Sequence, residues 1–150
     1  MIYCDTREQK NGHVLEYFRR SGIEYEVRKL DTADYMDPER PGVLVDRKRT
    51  LDELAANLCT ADSGRFWREI RRAHAEGAQL IVLCEHGRGV ERAEHVRQWR
   101  SVRLGIGGAS LARAMDRASL AYGVRFEFCE RRDTGWMIAA LLGAAGKECE

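Results

Sequence analysis

The sequence predicts an α/β domain of three layers, with helices packed on both faces of a sheet. Three observations predict it. The run "QLIVLCE" at 79–85 is continuously apolar over the length of a strand, the pattern of a central strand buried on both faces. Around it, stretches of two-residue periodicity alternate with stretches of helical periodicity, which is how layered α/β domains read. The length, 150 residues, suffices for one core, because a domain of that size buries about 70% of the surface its unfolded chain exposes. With no internal repeat, low-complexity tract or linker in the chain, a single domain over 1–150 is expected.

The elements follow in order. A short strand over 2–4 ends at Asp5, and a helix over 13–20 turns Val14, Leu15 and Phe18 inward until Ser21-Gly22 stops it. "IEYEVRKL" at 23–30 alternates Ile23, Tyr25 and Val27 with charged residues, as a half-buried strand does. The turn-rich "DTADYMDPERPG" leads into a strand over 43–48, and the two strands are expected to form a hairpin. Thr50 to Glu53 is a capping box, followed by Leu51, Leu54, Ala55 and Leu58 at helical spacing. Asp62 is placed to cap a helix over 64–75 that buries Phe66, Ile70 and Ala73. The charged, glycine-punctuated stretch 86–108 reads as an insertion or lid with a helix near 93–102. A helix over 111–122, an alternating strand over 124–129 and a closing helix over 134–142 complete the chain.

Composition narrows the function classes. The five cysteines (Cys4, Cys59, Cys84, Cys129, Cys149) form no CxxC or CxH pattern, so neither a disulfide framework nor a zinc site is indicated and a reducing cytoplasm is expected. No apolar run approaches the roughly 18 residues of a membrane span, and the net charge of +1 excludes a global basic field. Four of the 25 basic residues are lysines; base composition of the genome produces such an arginine excess as readily as phosphate binding does.

The chemistry concentrates in "VLVDRKRTLDEL" at 43–54. Side chains alternate along a strand, so Asp46 and Lys48 share one face while Arg47 takes the other. Asp5, Asp34 and Asp46 sit at strand ends that a sheet can bring together. Carboxylates so gathered repel each other unless a cation joins them, and hard oxygen ligands favour Mg²⁺ or Mn²⁺. A lysine beside them could orient or help deprotonate a water attacking a phosphate. Elsewhere, Arg68, Arg71 and Arg72 share a helix face, and Arg97, Arg100 and Arg103 recur around Trp99; either set could follow a phosphate backbone, with Trp99 stacking on a base, or simply face solvent. His86 and His95 read as loop histidines, "GIGGAS" at 105–110 as a flexible hinge, and Trp67 and Trp136 as core or interface residues.

"DTRE" (5–8), "ADY" (33–35), "VDRKRTLD" (45–52) and "DSGRF" (62–66) resemble, in order and spacing, the nuclease domain of the XPF/Hef family of structure-specific DNA endonucleases. Ala33 stands where the family's signature has glycine, and Asp46 where it has glutamate. The resemblance covers most of the chain outside 86–108. It implies a restriction-endonuclease-like fold of the PD-(D/E)xK class with a central mixed sheet. It also implies Asp34 and Asp46 as metal ligands, Lys48 as the water-orienting base, Asp5, Arg7, Arg47 and Asp52 as supporting catalytic positions, and Arg65 as a contact to the phosphate backbone of DNA or to the active-site helix. The expected activity is Mg²⁺- or Mn²⁺-dependent hydrolysis of branched or junction DNA. The family usually carries a helix-hairpin-helix DNA-binding module, which this sequence lacks, so a small stand-alone protein of bacterial or phage type is expected, with "GWMIAALLGAA" (135–145) as a homodimer surface. Two alternatives stay open: an inactive DNA-binding or scaffolding module, and a sequence-specific restriction-type nuclease.

Overall fold

In the computed structural model, residues 1–144 are described, with the side chain of Asp62 excepted. Six strands form one mixed sheet in the order β2-β1-β3-β4-β5-β6. They are β1 (Ile2–Cys4), β2 (Tyr25–Val27), β3 (Tyr35–Met36), β4 (Val43–Lys48), β5 (Gln79–Cys84) and β6 (Arg125–Phe128). β1 runs parallel to β2, β4 to β5 and β5 to β6, while β3 is antiparallel to both β1 and β4. Five strands therefore point one way and β3 alone points back. The carboxyl ends of β1, β4 and β5 share one edge with the amino end of β3.

The helices are α1 (Gly12–Arg20), α2 (Leu51–Cys59), α3 (Gly64–Ala75), α4 (Ala93–Val96), α5 (Gly108–Tyr122) and α6 (Thr134–Leu141). α2, α3 and α5 pack on Leu44, Leu80, Val82 and Cys84; α1 and α6 pack on Ile2, Tyr35, Val45, Ile81 and Leu83. β5 thus buries alternate residues on both faces, as its continuous apolar run predicts. Burial pushes the Cys4 and Cys84 thiols up to about 12, and the four cysteines among the described residues are free; Cys149 lies outside them.

Several expectations need correction. The hairpin partner of β4 is the two-residue β3, whereas the strand expected over 23–30 shrinks to β2 at the sheet edge, where it pairs with β1. The helix expected over 93–102 stops at Val96, and an isolated bridge joins Arg100 to Gly107. Ser63 takes the N-cap position of α3 without a side-chain bond; Asp62's side chain is outside what is described.

Segment 86–108 packs against the body of the domain. Val90 and Val96 are buried, Trp99, Leu104 and Ile106 pack against the α2/α5 layer, and Trp99 meets His86 edge to face. The His86 ring accepts the Leu51 N–H at 3.0 Å, capping α2. Burial and Arg88 lower the His86 pKa, which keeps Nδ1 free to accept. Gly108 is buried at a crossing where an added Cβ would fall on the carbonyl oxygens of Val96 and Trp99. Backbone that close cannot yield, so Gly108→Ala should destabilise the protein by about 1–3 kcal/mol. Urea unfolding would show this as a lower midpoint with an unchanged slope.

Candidate active site

The reversed strand makes the site. Asp5 follows β1, Asp34 precedes β3, and Asp46 to Lys48 end β4, so all reach the same sheet edge. Backbone bonds lock them in register: the Asp5 N–H donates to Asp34 O at 2.8 Å, and the Asp34 N–H to Val45 O at 3.0 Å. Asp5 is buried and already committed, accepting the Leu30 N–H and the Arg7 Nε–H, both at 2.8 Å, while Arg7 also donates to Leu30 O. It fixes the loop that follows β2 and leaves little capacity for another ligand. Ala33 adopts the left-handed region (φ 66°), which is unfavourable for a residue with a Cβ, and its N–H is held by Glu69 of α3 at 2.7 Å. That bond aims Asp34 into the cleft.

The cleft occupies about 640 Å³ between the sheet edge and α2/α3. On its floor Lys48 Nζ lies 2.8 Å from Asp46 Oδ2 and 4.1 Å from the centroid of the Phe66 ring. The ion pair is close but not aligned as a hydrogen bond, so the buried Asp46 Oδ2 has no aligned donor. Asp34 is half-buried, and its Oδ2 accepts the Arg47 N–H at 2.8 Å. Burial, then the charges of Asp46 and Glu8, raise the Asp34 pKa well above its ordinary value. Burial and Asp46 raise Glu69 likewise. Burial alone would lower Lys48, but Asp46 more than offsets it and holds the ammonium protonated.

These observations fit a divalent cation. Asp34 and Asp46 repel each other, and Asp46 presents an oxygen without an aligned donor. No group of three His, Cys, Asp or Glu side chains is gathered for a metal among the described residues. Two carboxylates with open positions match the way Mg²⁺ is held by one or two acids plus substrate oxygens and water.

Arg47 turns to the opposite face. Its side chain, 1% exposed, donates to both Glu8 oxygens, to Gln9 O and to Glu85. Burial would lower the guanidinium's pKa, but Glu8 and Glu85 hold it above its ordinary value. Glu85 also accepts from Thr134 at 2.6 Å and lies 2.8 Å from His13 Nε2, tying α6 and α1 to the sheet edge.

Arg65, Arg68 and Arg72 line the rim from the exposed side of α3, and Arg72 also donates to Asp31 O. Four expected residues are not brought here. Asp52 is turned away on α2 and accepts a short hydrogen bond from Ser101. Arg97 and Arg100 are exposed on the segment packed beyond α5. Trp99 is half-buried against the core rather than presented to a base. Glu69, Glu53 and Asn57 line the cleft without having been singled out as site residues. Of these, only Glu53 carried a local signal, its capping box; its carboxylate reaches back to the Arg49 N–H, one residue earlier than the box predicts.

A mixed sheet with helices on both faces and an acid-and-lysine cleft at one edge defines a three-layer α/β domain of the restriction-endonuclease-like class. The ERCC4 domain model matches residues 4–141, and the chain belongs to that family. The structure is similar to XPF from Aeropyrum pernix, with a TM-score of 0.72 and 21% identity over 98% of this chain and 65% of that one. It is similar also to XPF from Aeropyrum pernix in complex with DNA, with a TM-score of 0.69 and 24% identity over 95% of this chain and 62% of that one. The chain therefore spans somewhat less than two thirds of the length of those proteins. No curated protein matches it. The XPF-type resemblance of the motifs and the expected fold are both borne out.

The raised Asp34 pKa has a consequence for stability. A carboxyl whose native pKa exceeds its unfolded value of 3.8 favours the fold while neutral, and that contribution is lost as pH rises from the unfolded value through the native one. Asp34→Asn removes the charge but keeps an oxygen for the Arg47 N–H. In EDTA the variant should melt above the wild type at neutral pH, with the gap closing toward pH 4 in thermal scans.

Proposed function

We propose that this chain is a divalent-metal-dependent DNA endonuclease that hydrolyses phosphodiester bonds in branched DNA. The observation that carries the reading is the buried Asp46–Lys48 pair beside Asp34, in a cleft rimmed by Arg65, Arg68 and Arg72. Membership of the ERCC4 domain family supports it, as does the likeness to a fold solved in complex with DNA.

Asp34 and Asp46 would hold Mg²⁺ or Mn²⁺, which when bound supplies charge stabilisation on the phosphoryl oxygens. Lys48, 2.8 Å from Asp46, would orient the attacking water. Arg65, Arg68 and Arg72 carry the flanking phosphates, each able to grip two oxygens with its planar fork. Arg7 holds Asp5 and Leu30 O, so it shapes the cleft wall. Arg47 acts through its contacts, positioning Asp34 by its N–H and the 8–9 loop by its guanidinium.

We read the described chain as one nuclease unit working in the cytoplasm, a reading supported by its free cysteines; no described helix is long and apolar enough to cross a membrane. Homodimerisation through α6 is supported by Trp136, which is 50% exposed, although the helix's inner face packs on α1, with Gly135 against Tyr17. Ala145 of the expected surface lies outside the described residues.

The test is cleavage of end-labelled fork, flap, four-way junction and linear duplex DNA with Mg²⁺ or Mn²⁺. Asp46→Asn and Lys48→Ala should each lower the rate about a hundredfold to ten-thousandfold, and EDTA should abolish cutting. Cleavage that survives chelation would exclude the metal mechanism. Absence of cleavage by the wild type, with DNA binding intact, would favour a scaffolding module.

A further inference from the structure

A second cleft opens at the same sheet edge on its other face, with a volume of about 530 Å³. Its cations are Lys10, Arg49 and Arg131. Arg49 directly follows Lys48, so the two clefts meet across the end of β4. Arg49 leans toward Glu53, with 3.7 Å between the charged atoms, and neighbouring Arg132 takes Glu130 and Asp133. Lys10 and Arg131 have no carboxylate within 4.0 Å among the described residues, and both are exposed.

The acid at the cleft floor, Glu85, is turned inward and engaged by Arg47, Thr134 and His13, which leaves the exposed cations to face the cleft mouth. The same network fixes the cleft walls. Arg47 holds Gln9 O at 2.7 Å and so places the loop bearing Lys10, and Thr134 on Glu85 anchors the turn bearing Arg131. The amino end of α1, with no acidic residue in its first turn and no side-chain cap, also opens here and adds its positive end to the three cations.

We propose that this second cleft binds the phosphate backbone of the second arm of a branched DNA whose first arm lies along Arg65, Arg68 and Arg72. The proposal rests on the DNA-cleaving reading above. It gives the chain a way to recognise a branch: two basic surfaces on opposite faces of one strand end engage two duplex arms, where a linear duplex fills one.

The experiment measures binding of the full chain to a labelled fork and to a short linear duplex by fluorescence anisotropy, in EDTA, over a series of salt concentrations. The double variant Lys10→Ala/Arg131→Ala changes exposed residues and leaves the fold intact, checked by thermal melting. Its fork affinity should fall several-fold and its salt slope should shrink by about 2, roughly one per lost phosphate contact, with linear duplex binding unchanged. Arg68→Ala should weaken both probes. Unchanged fork binding and slope in the double variant, alongside a loss in Arg68→Ala, would overturn the second cleft alone. An equal loss on both probes would overturn the second-arm assignment. No DNA binding by the wild type would overturn both this proposal and the endonuclease reading.

Discussion

The buried guanidinium of Arg47 is the constraint on which the sheet edge depends. It lies at 1% exposure between two carboxylates and a backbone carbonyl, and it is the cation that makes their burial tolerable. Removing the guanidinium leaves two buried carboxylates uncompensated, a loss of about 3–5 kcal/mol. Through Glu85 the same cation reaches Thr134 and His13, so the ends of β4 and β5 and the starts of α1 and α6 form one unit. Its backbone N–H meanwhile restrains Asp34 on the other side of the strand. One residue thus couples the positions of both faces.

Against that rigid layer the cleft holds a set of unfavourable arrangements. Burial and the charge of Asp46 raise the proton affinity of both Asp34 and Glu69, Ala33 adopts a conformation better suited to glycine, and Asp46 keeps a buried oxygen without an aligned donor. Strain of this kind persists where surrounding structure over-determines it, and it gathers where function needs it. The left-handed turn at Ala33 has an identifiable brace in Glu69, reached from 36 residues away. This explains how an alanine is accommodated at that place.

Local pattern made much of this legible. The apolar run of β5, the period-two alternation that separates Asp46 and Lys48 from Arg47, and the Thr50 cap each depend on residues within one element, and each is in the structure as read. Non-local features were not legible. β3 is too short for periodicity to register, so the pattern points to the wrong strand as the hairpin partner of β4, and the strand end that carries Asp34 is the start of β3. Asp52 shares its motif with Asp46 but not its face, because a helix begins between them and turns it toward Ser101. Gly108, in a glycine-rich stretch that reads as supple, is instead a contact point where only a missing side chain allows two backbones to meet.

The brevity of β3 separates two parts of the molecule that a longer hairpin would join. Its turn, residues 37–42, sits beyond the Val43 end of β4, roughly 17 Å from Lys48 at the strand rise of about 3.4 Å per residue. Chain length added there would extend outward from the edge that carries no chemistry. The turn is therefore a natural attachment point, where a tether, a reporter or an additional domain could be grafted while the acid-and-lysine edge stays blind to the addition.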